Sequence, residues 1–453
     1  MDQLLTFLQR SAYVSVYNKP GHSGSDVVSA GGREIRAVRA REIIDCRGLP
    51  TVQVDVVLAD GSAGRADVPA GRSTGRHEAR EIRDGGSRYG GQGVRRAVAN
   101  VTETIGPAVI GQPADRQREI DRLLVELDGT DDRSGLGANA LLGVSLAAAR
   151  ASAASAGQPL YLYLSADAHV LPVPLVNLIN GGRHAAGQLE FQEFIVIPTG
   201  AATFAEALAE SSEVNLALGD VLQERYGRTA LVLGDEGGYV PPVSDPREAL
   251  ELLHLGVDRA GYTGRFRYGL DSAATHFYDP ADGTYHVAGR RLSRDELLTL
   301  YLDLVRDLGV VTIEDPFAED DFEGFARLTA EAGIQVVGDD LFVTSTSRLQ
   351  RGIEQGAANA LLWKVNQIGT LSEALDAAAM ATRHGYGVCV SERSGDTEDP
   401  VIADLAVALN CGQIKTGAPV RGERTSKYNR LLLIEEELGA TAAYPGSRFP
   451  RPA

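Results

Sequence analysis

The residues able to do chemistry stand at the edges of short apolar runs. "FQEFIVIP" carries Glu193, "LVLGDEGG" Asp235 and Glu236, "RYGLDSAA" Asp271, "VVTIEDP" Glu314 and Asp315, and "IQVVGDD" Asp339 and Asp340. Three further runs carry cations: "NALLWKVNQ" has Lys364, "GVCVSER" has Arg393 beside Glu392, and "GQIKTG" has Lys415. Carboxylates gathered in one place repel one another unless cations neutralise them. Oxygen-only donors suit hard cations, and Mg²⁺ is the expected ion where phosphate is also handled. A lysine beside bound cations is pushed toward its neutral form and becomes available as a base. The alternative for Lys364 is an ion pair with one of the acids.

The spacing says what must position these groups. Asp271, Glu314, Asp339, Lys364, Glu392 and Lys415 are separated by 43, 25, 25, 28 and 23 residues. A strand, a helix and two loops take about that length in a β/α barrel, whose active sites lie at the C-terminal rim of the strands. Helical patterns fill the intervals. "LSRDELLTLYLDLVRDLG" opens on the capping pair Ser293/Glu296 and stops at Gly309, and "TLSEALDAAAMATRHG" opens on Thr370/Glu373. "EDPVIADLAVALNCG" has Pro400 near its first turn and Gly412 at its end. Upstream, "TVQVDVVLADGSAGRADVPAG" predicts a hairpin, and two amphipathic segments ending in Gly predict helices. The expected organisation is an extension over 1–32, a small α+β domain over 33–165, a β/α barrel over 171–440 and a tail over 441–453.

Composition narrows the function classes. The net charge of −17 argues against nucleic-acid binding, and no apolar run reaches the ~18 residues a membrane span needs. Neither a signal peptide nor a metal-type cysteine spacing is evident among Cys46, Cys389 and Cys411, so a reducing cytoplasm is the expected compartment.

Taken together the motifs resemble enolase, the 2-phosphoglycerate dehydratase family. The likeness runs from about residue 36 to 440, through "AREIIDCRGLPTV", "GRSTG", "GANALLGVSLA", "PVPLVNLINGGRHA", "FQEFIVIP", "GDEGGYVP", "IEDPFAEDD", "VVGDDLFVT", "KVNQIGT", "ERSGDTED", "QIKTGAP" and "RGER". The resemblance implies an N-terminal α+β domain followed by a TIM-like barrel, two Mg²⁺ per site and a homodimer or multiple of dimers. It implies Asp271, Glu314 and Asp339 as ligands of the tighter Mg²⁺ and Ser73 as a ligand of the second. Lys364 matches the base, Glu236 the acid with Glu193 its neighbour, and His184 a mobile-loop residue of the catalytic set. Lys415, Gln192, Arg393 and Ser394 match substrate contacts, Lys415 at the carboxylate and the last two at the phosphoryl group.

Departures in three motifs bear on the substrate. Arg72 stands where the family has a small residue and Ala70 where it has Ser; Arg183 stands in "GGRHAAG" where a small residue is usual; and Glu392 stands where the family has His. An ionised Glu392 only accepts hydrogen bonds and repels a phosphate dianion, while Arg72 and Arg183 add forked donors. The expectation drawn from this is a specialised dehydratase acting on a modified glycerate, with Arg72, Arg183 and Glu392 touching substrate. The carboxyphosphonyl-glycerate dehydratases (carboxyphosphonoenolpyruvate synthases) of phosphonate and phosphinate biosynthesis are one such group. A housekeeping enolase and a non-catalytic protein on an enolase scaffold are the alternatives.

Overall fold

The computed structural model describes residues 32–450, so the extension over 1–32 lies almost wholly outside the described residues. The first layer is a three-stranded antiparallel sheet, β1 (Ile35–Ile44), β2 (Pro50–Leu58) and β3 (Ala63–Asp67). Alternation decides which face of β2 is buried: Val52, Val54, Val56 and Leu58 are fully enclosed. They lie against the helix Ala138–Ser155, which is apolar on most of its surface and buried along most of its length. Gly64 allows the close approach, since a Cβ there would come within 2.1 Å of the Ala147 carbonyl oxygen.

Eight strands then close a barrel in the order β4 (Val173–Asn180), β5 (Glu193–Ile197), β6 (Arg267–Asp271), β10 (Val310–Glu314), β11 (Gln335–Gly338), β12 (Ala360–Trp363), β13 (Gly387–Ser391) and β14 (Gln413–Lys415). The short β7 (Tyr278–Asp279), β8 (Thr284–Val287) and β9 (Arg290–Leu292) form a separate small sheet between β6 and β10. Val173, Leu175, Ile195, Ile197, Val337, Ala360, Leu362 and Cys389 pack as a cluster inside the barrel. The helix Arg294–Leu308 begins with the reciprocal Ser293/Glu296 capping box and ends at Gly309, at φ 64°. Pro400 stands just before the helix Val401–Ala408 as its N-cap.

Two expectations from the sequence need correction. The barrel is not all-parallel, because β5 runs antiparallel to both β4 and β6. Glu193 therefore begins its strand rather than following it, and the reversal still delivers it to the active rim, in register with Asn180 on one side and Asp271 on the other. The run "LVLG" is not a barrel strand; it leaves the 3₁₀ turn Arg228–Leu231 and carries Asp235 and Glu236 on a loop. Beyond the helix Gly422–Leu438 the chain does not trail away. Ala443 exchanges backbone hydrogen bonds with His169 and Leu171, and the Gln413 amide donates to the Pro450 carbonyl at 2.8 Å.

The two domains are joined by charge. Arg150, on the long helix of the first domain, grips Asp399 of the barrel through both guanidinium nitrogens, at 2.7 and 2.6 Å. The same carboxylate accepts from the backbone N–H of Asp67 at the end of β3 and of Val401 at the start of the next helix. Burial works to raise the Asp399 pKa, but Arg150 and these N–H groups outweigh it and hold the carboxyl below its ordinary value. Arg150→Met strands a buried carboxylate and is expected to lower stability by about 3 kcal/mol, read by urea unfolding at neutral pH. Replacing Asp399 with Asn in the same protein is expected to restore part of that loss.

Candidate active site

The register of four strands sets the wall of the site. Asn180, Glu193, Asp271 and Glu314 lie side by side across β4, β5, β6 and β10. Asp339 follows β11 directly, Lys364 follows β12, Glu392 follows β13, and Lys415 ends β14 beside Ser391. Around the eight-strand circle β12 and β5 are four places apart, so Lys364 and Glu193 face one another across the barrel mouth.

Lys415 occupies the centre. Its Nζ lies 3.1 Å from Glu193, 3.1 Å from Asp271 and 2.7 Å from Glu314, with every partner buried. Burial pulls the lysine's pKa down, but Asp271, Glu193 and Glu314 together drive it well above the ordinary value. Lys364 Nζ sits 2.5 Å from Asp339 Oδ2, and Gln367 donates to the other oxygen at 2.8 Å. Burial likewise pulls Lys364 down, and Asp339 with Glu314 reverses the sign.

Asp339 is positioned by its neighbour. Asp315, at φ 41°, accepts the backbone N–H of Asp339 at 2.9 Å and of Asp340 at 2.8 Å. Asp315, Asp339 and Asp340 offer oxygens close enough to share one ion. A ring nitrogen of His184 and carboxylate oxygens of Glu193 and Glu236 form a second such group. In that second group His184 Nδ1 stands 3.5 Å from both Glu193 and Glu236, and Asn177 donates to Glu236 at 3.1 Å. Burial and the nearby Glu236 charge push Glu193 well above the carboxylate range. Burial acts on Glu236 in the same direction, yet His184, Arg424 and Lys415 outweigh it and hold that carboxyl well below the range. Gln192 donates to Asp271 at 3.2 Å.

Ser73, His184, Gln192, Glu193, Glu236, Asp271, Lys364, Lys415 and the stretch Ser391–Ser394 enclose one small space. Its cavity volume is about 10 Å³. Acids and cations crowd it by touching one another.

The arginines take other partners than the sequence suggests. Arg393 spends its fork on Glu78, at 2.9 and 3.1 Å, and also donates to Asn366 and to the Ser73 carbonyl. It thereby pins the 71–78 loop, and Gly71 is required there because a Cβ would come within 2.0 Å of Arg393 Nη2. Ser394 accepts from the Arg72 backbone N–H at 2.8 Å. Arg72 reaches Asp235 at 2.7 Å with its side chain 54% exposed, and Arg183 is exposed on the 3₁₀ turn Gly182–His184. Neither Arg72 nor Arg183 lines the enclosed space. Ala70 pairs its backbone with Gly395 in both directions, at 2.8 and 3.0 Å.

Glu392 is met not by Arg72 or Arg183 but by Arg424. This fully buried guanidinium donates to Glu392 Oε2, to the Arg393 carbonyl at 2.7 Å and to the Ser394 carbonyl at 2.9 Å. The physical reason is reach: Arg424, in the first turn of the helix Gly422–Leu438, approaches from behind the wall, while the loop arginines face solvent.

The likeness to known proteins is long and specific. The profile described as "Enolase, N-terminal domain" matches residues 35–164, and "Enolase, C-terminal TIM barrel domain" matches residues 168–453. The chain belongs to the enolase family. The enolase of Methanopyrus kandleri is 57% identical over 415 residues, covering 90% of this chain and 97% of that protein. Those of Thermococcus gammatolerans and Pyrococcus furiosus are each 56% identical, covering 92% of this chain and 98% of theirs. As an enolase, the chain is a hydro-lyase of the phosphopyruvate hydratase type.

Glu78, Asn177, Asn366, Gln367 and Arg424 were not singled out by sequence. Arg424 did leave one trace: a cation in the first turn of a helix opposes the helix dipole, which signals a tertiary partner. Arg424→Met removes the hydrogen bonds donated to Glu392 and to the carbonyls of Arg393, Ser394 and Asp235. It is expected to cost about 1–3 kcal/mol of stability, measured by chemical unfolding.

Proposed function

We propose that this enolase dehydrates 2-phosphoglycerate to phosphoenolpyruvate as a housekeeping member of its family. The observation that carries the reading is the placement of Lys364 on β12 directly across the barrel mouth from Glu193 on β5, with the carboxylates and Lys415 between them. Loss of a C2 proton on one face and of a C3 hydroxide on the other requires such a two-sided arrangement. The modified-substrate expectation rested on Glu392 and the loop arginines. It loses its support because Arg424 meets Glu392 from behind and neither arginine lines the enclosed space. Curated relatives at 52–57% identity, all named enolase, also favour the plain glycerate.

The donor set fits Mg²⁺. Asp271, Glu314 and Asp339 are buried oxygen donors on consecutive barrel strands or directly after them, and Asp271 Oδ1 is enclosed without a hydrogen-bond partner among the described residues. These three would hold one ion, with Ser73 on the 71–78 loop a ligand for a second. Bound there, Mg²⁺ supplies Lewis-acid stabilisation of the charge that builds on the substrate carboxylate.

The chain's own groups do the rest. Lys364 is placed to take the C2 proton. Asp339 and Glu314 keep it charged; were both carboxylates to hold a cation, burial would favour the neutral base. Lys415 binds the substrate carboxylate and opposes the second negative charge of the enolate. On the far wall Glu193, Glu236 and His184 hold the proton that the leaving hydroxide takes up, with His184 between the two carboxyls. Arg393 fixes the 71–78 loop over the site and, with Ser394, stands at the phosphoryl end. A dimer or multiple of dimers and a cytoplasmic setting complete the proposal.

Purified protein with Mg²⁺ is expected to raise ultraviolet absorbance from 2-phosphoglycerate, and to stop when the metal is chelated. Absence of turnover with this substrate in the presence of Mg²⁺ sinks the reading. Lys364→Ala is expected to lower C2 proton exchange at least about a hundredfold, followed by solvent-deuterium incorporation. Glu236→Gln is expected to block elimination while that exchange continues.

A further inference from the structure

Glu392 is a wholly buried carboxyl with two unlike oxygens. Oε2 accepts from Arg424, whereas Oε1 has no hydrogen-bond partner among the described residues. Glu392 also lines the enclosed space together with Glu236, Lys364, Arg393 and Ser394. Room for Oε1 is built in: Gly417, at φ 77°, would bring a Cβ within 3.0 Å of that oxygen. Arg424 does not need Glu392 as an anion, because it also donates to the carbonyls of Arg393, Ser394 and Asp235 and stands 3.5 Å from Glu423. A substrate carrying a carboxylate and a phosphate meets repulsion from an ionised carboxylate here and gains a hydrogen bond from a neutral one.

We propose that Glu392 binds the substrate as a neutral carboxylic acid, its Oε2 accepting from Arg424 and its Oε1–H donating to an anionic oxygen of 2-phosphoglycerate. This deepens the proposed function and rests on it. The surroundings agree. Arg424 and Tyr428 face Glu392 from the helix Gly422–Leu438, Glu236 from its loop and Asp396 from the loop after β13, while His184, Glu193 and Lys415 share the enclosed space. Burial, with Glu236 and Asp396, outweighs Arg424 and pushes the carboxyl up to about 8. A raised value means that the proton is present below about pH 8 and is lost above it, so the donor disappears on the alkaline side.

Glu392→Gln separates the roles, since a glutamine accepts from Arg424 with its oxygen and donates into the site at every pH. In the wild-type enzyme KM for 2-phosphoglycerate is expected to climb by up to roughly tenfold per pH unit above the titration, with kcat changing less. In Glu392→Gln that climb is expected to vanish. Glu392→Ala is expected to raise KM about tenfold to a hundredfold at neutral pH. A Glu392→Gln profile that climbs with the wild-type midpoint overturns the proposal. Calorimetry with Mg²⁺ and 2-phosphoglycerate at pH 8.5, in buffers of different ionisation enthalpy, gives a readout that does not need turnover. Wild-type protein is expected to take up more protons on binding than Glu392→Gln. Equal uptake in an active enzyme removes the donor and leaves the reaction standing; unequal uptake without turnover removes the reaction and leaves the donor.

Discussion

The architecture depends on one electrostatic constraint: many carboxylates must share the mouth of a barrel without charge-balancing solvent. Lys415 is the central answer, touching Glu193, Asp271 and Glu314 at once. Each of these acids comes from a different strand, so the lysine reads the closure of the barrel as much as the charge of its neighbours. Carboxylates so enclosed are tolerated only with partners of opposite charge. The crowding that makes the site costly to assemble also makes it responsive to cations and to an anionic substrate.

The same chemistry recurs at one remove. Arg393 with Glu78 ties the 71–78 loop to the rim, Arg424 with Glu392 braces the rim from behind, and Arg150 with Asp399 joins the first domain to the barrel. Pairs like these add little net stability compared with apolar packing, but they are strict about geometry. A shift of the first domain that broke Arg150 from Asp399 would also disturb Asp67 at the end of β3, three residues before Ala70, which pairs with Gly395 in the loop after Arg393 and Ser394. Domain contact and substrate contact are therefore parts of one continuous backbone arrangement.

Much of this was legible before the fold was known. The regular spacing from Asp271 to Lys415 announced a barrel because a strand and helix of ordinary length fill such an interval. Polar residues at the ends of apolar runs announced the rim, because a side chain at a strand end is the first to escape the packed interior. The reversal of β5 was not legible: the run from Glu193 to Ile197 looks the same in either direction, and only pairing with β4 and β6 orients it. Glu392 was read as a mismatch to phosphate because its partner lies 32 residues away on a helix, and no local pattern joins the two.

By itself the sequence determined the family, the order of the domains, and which side chain types end each barrel strand. Those are properties of local pattern and of long matching motifs. Tertiary structure decided which groups pair: Arg424 with Glu392, Glu78 with Arg393, and one lysine with three acids. Coulomb attraction between buried groups depends on separation in space and on exclusion of water, and neither is set by distance along the chain.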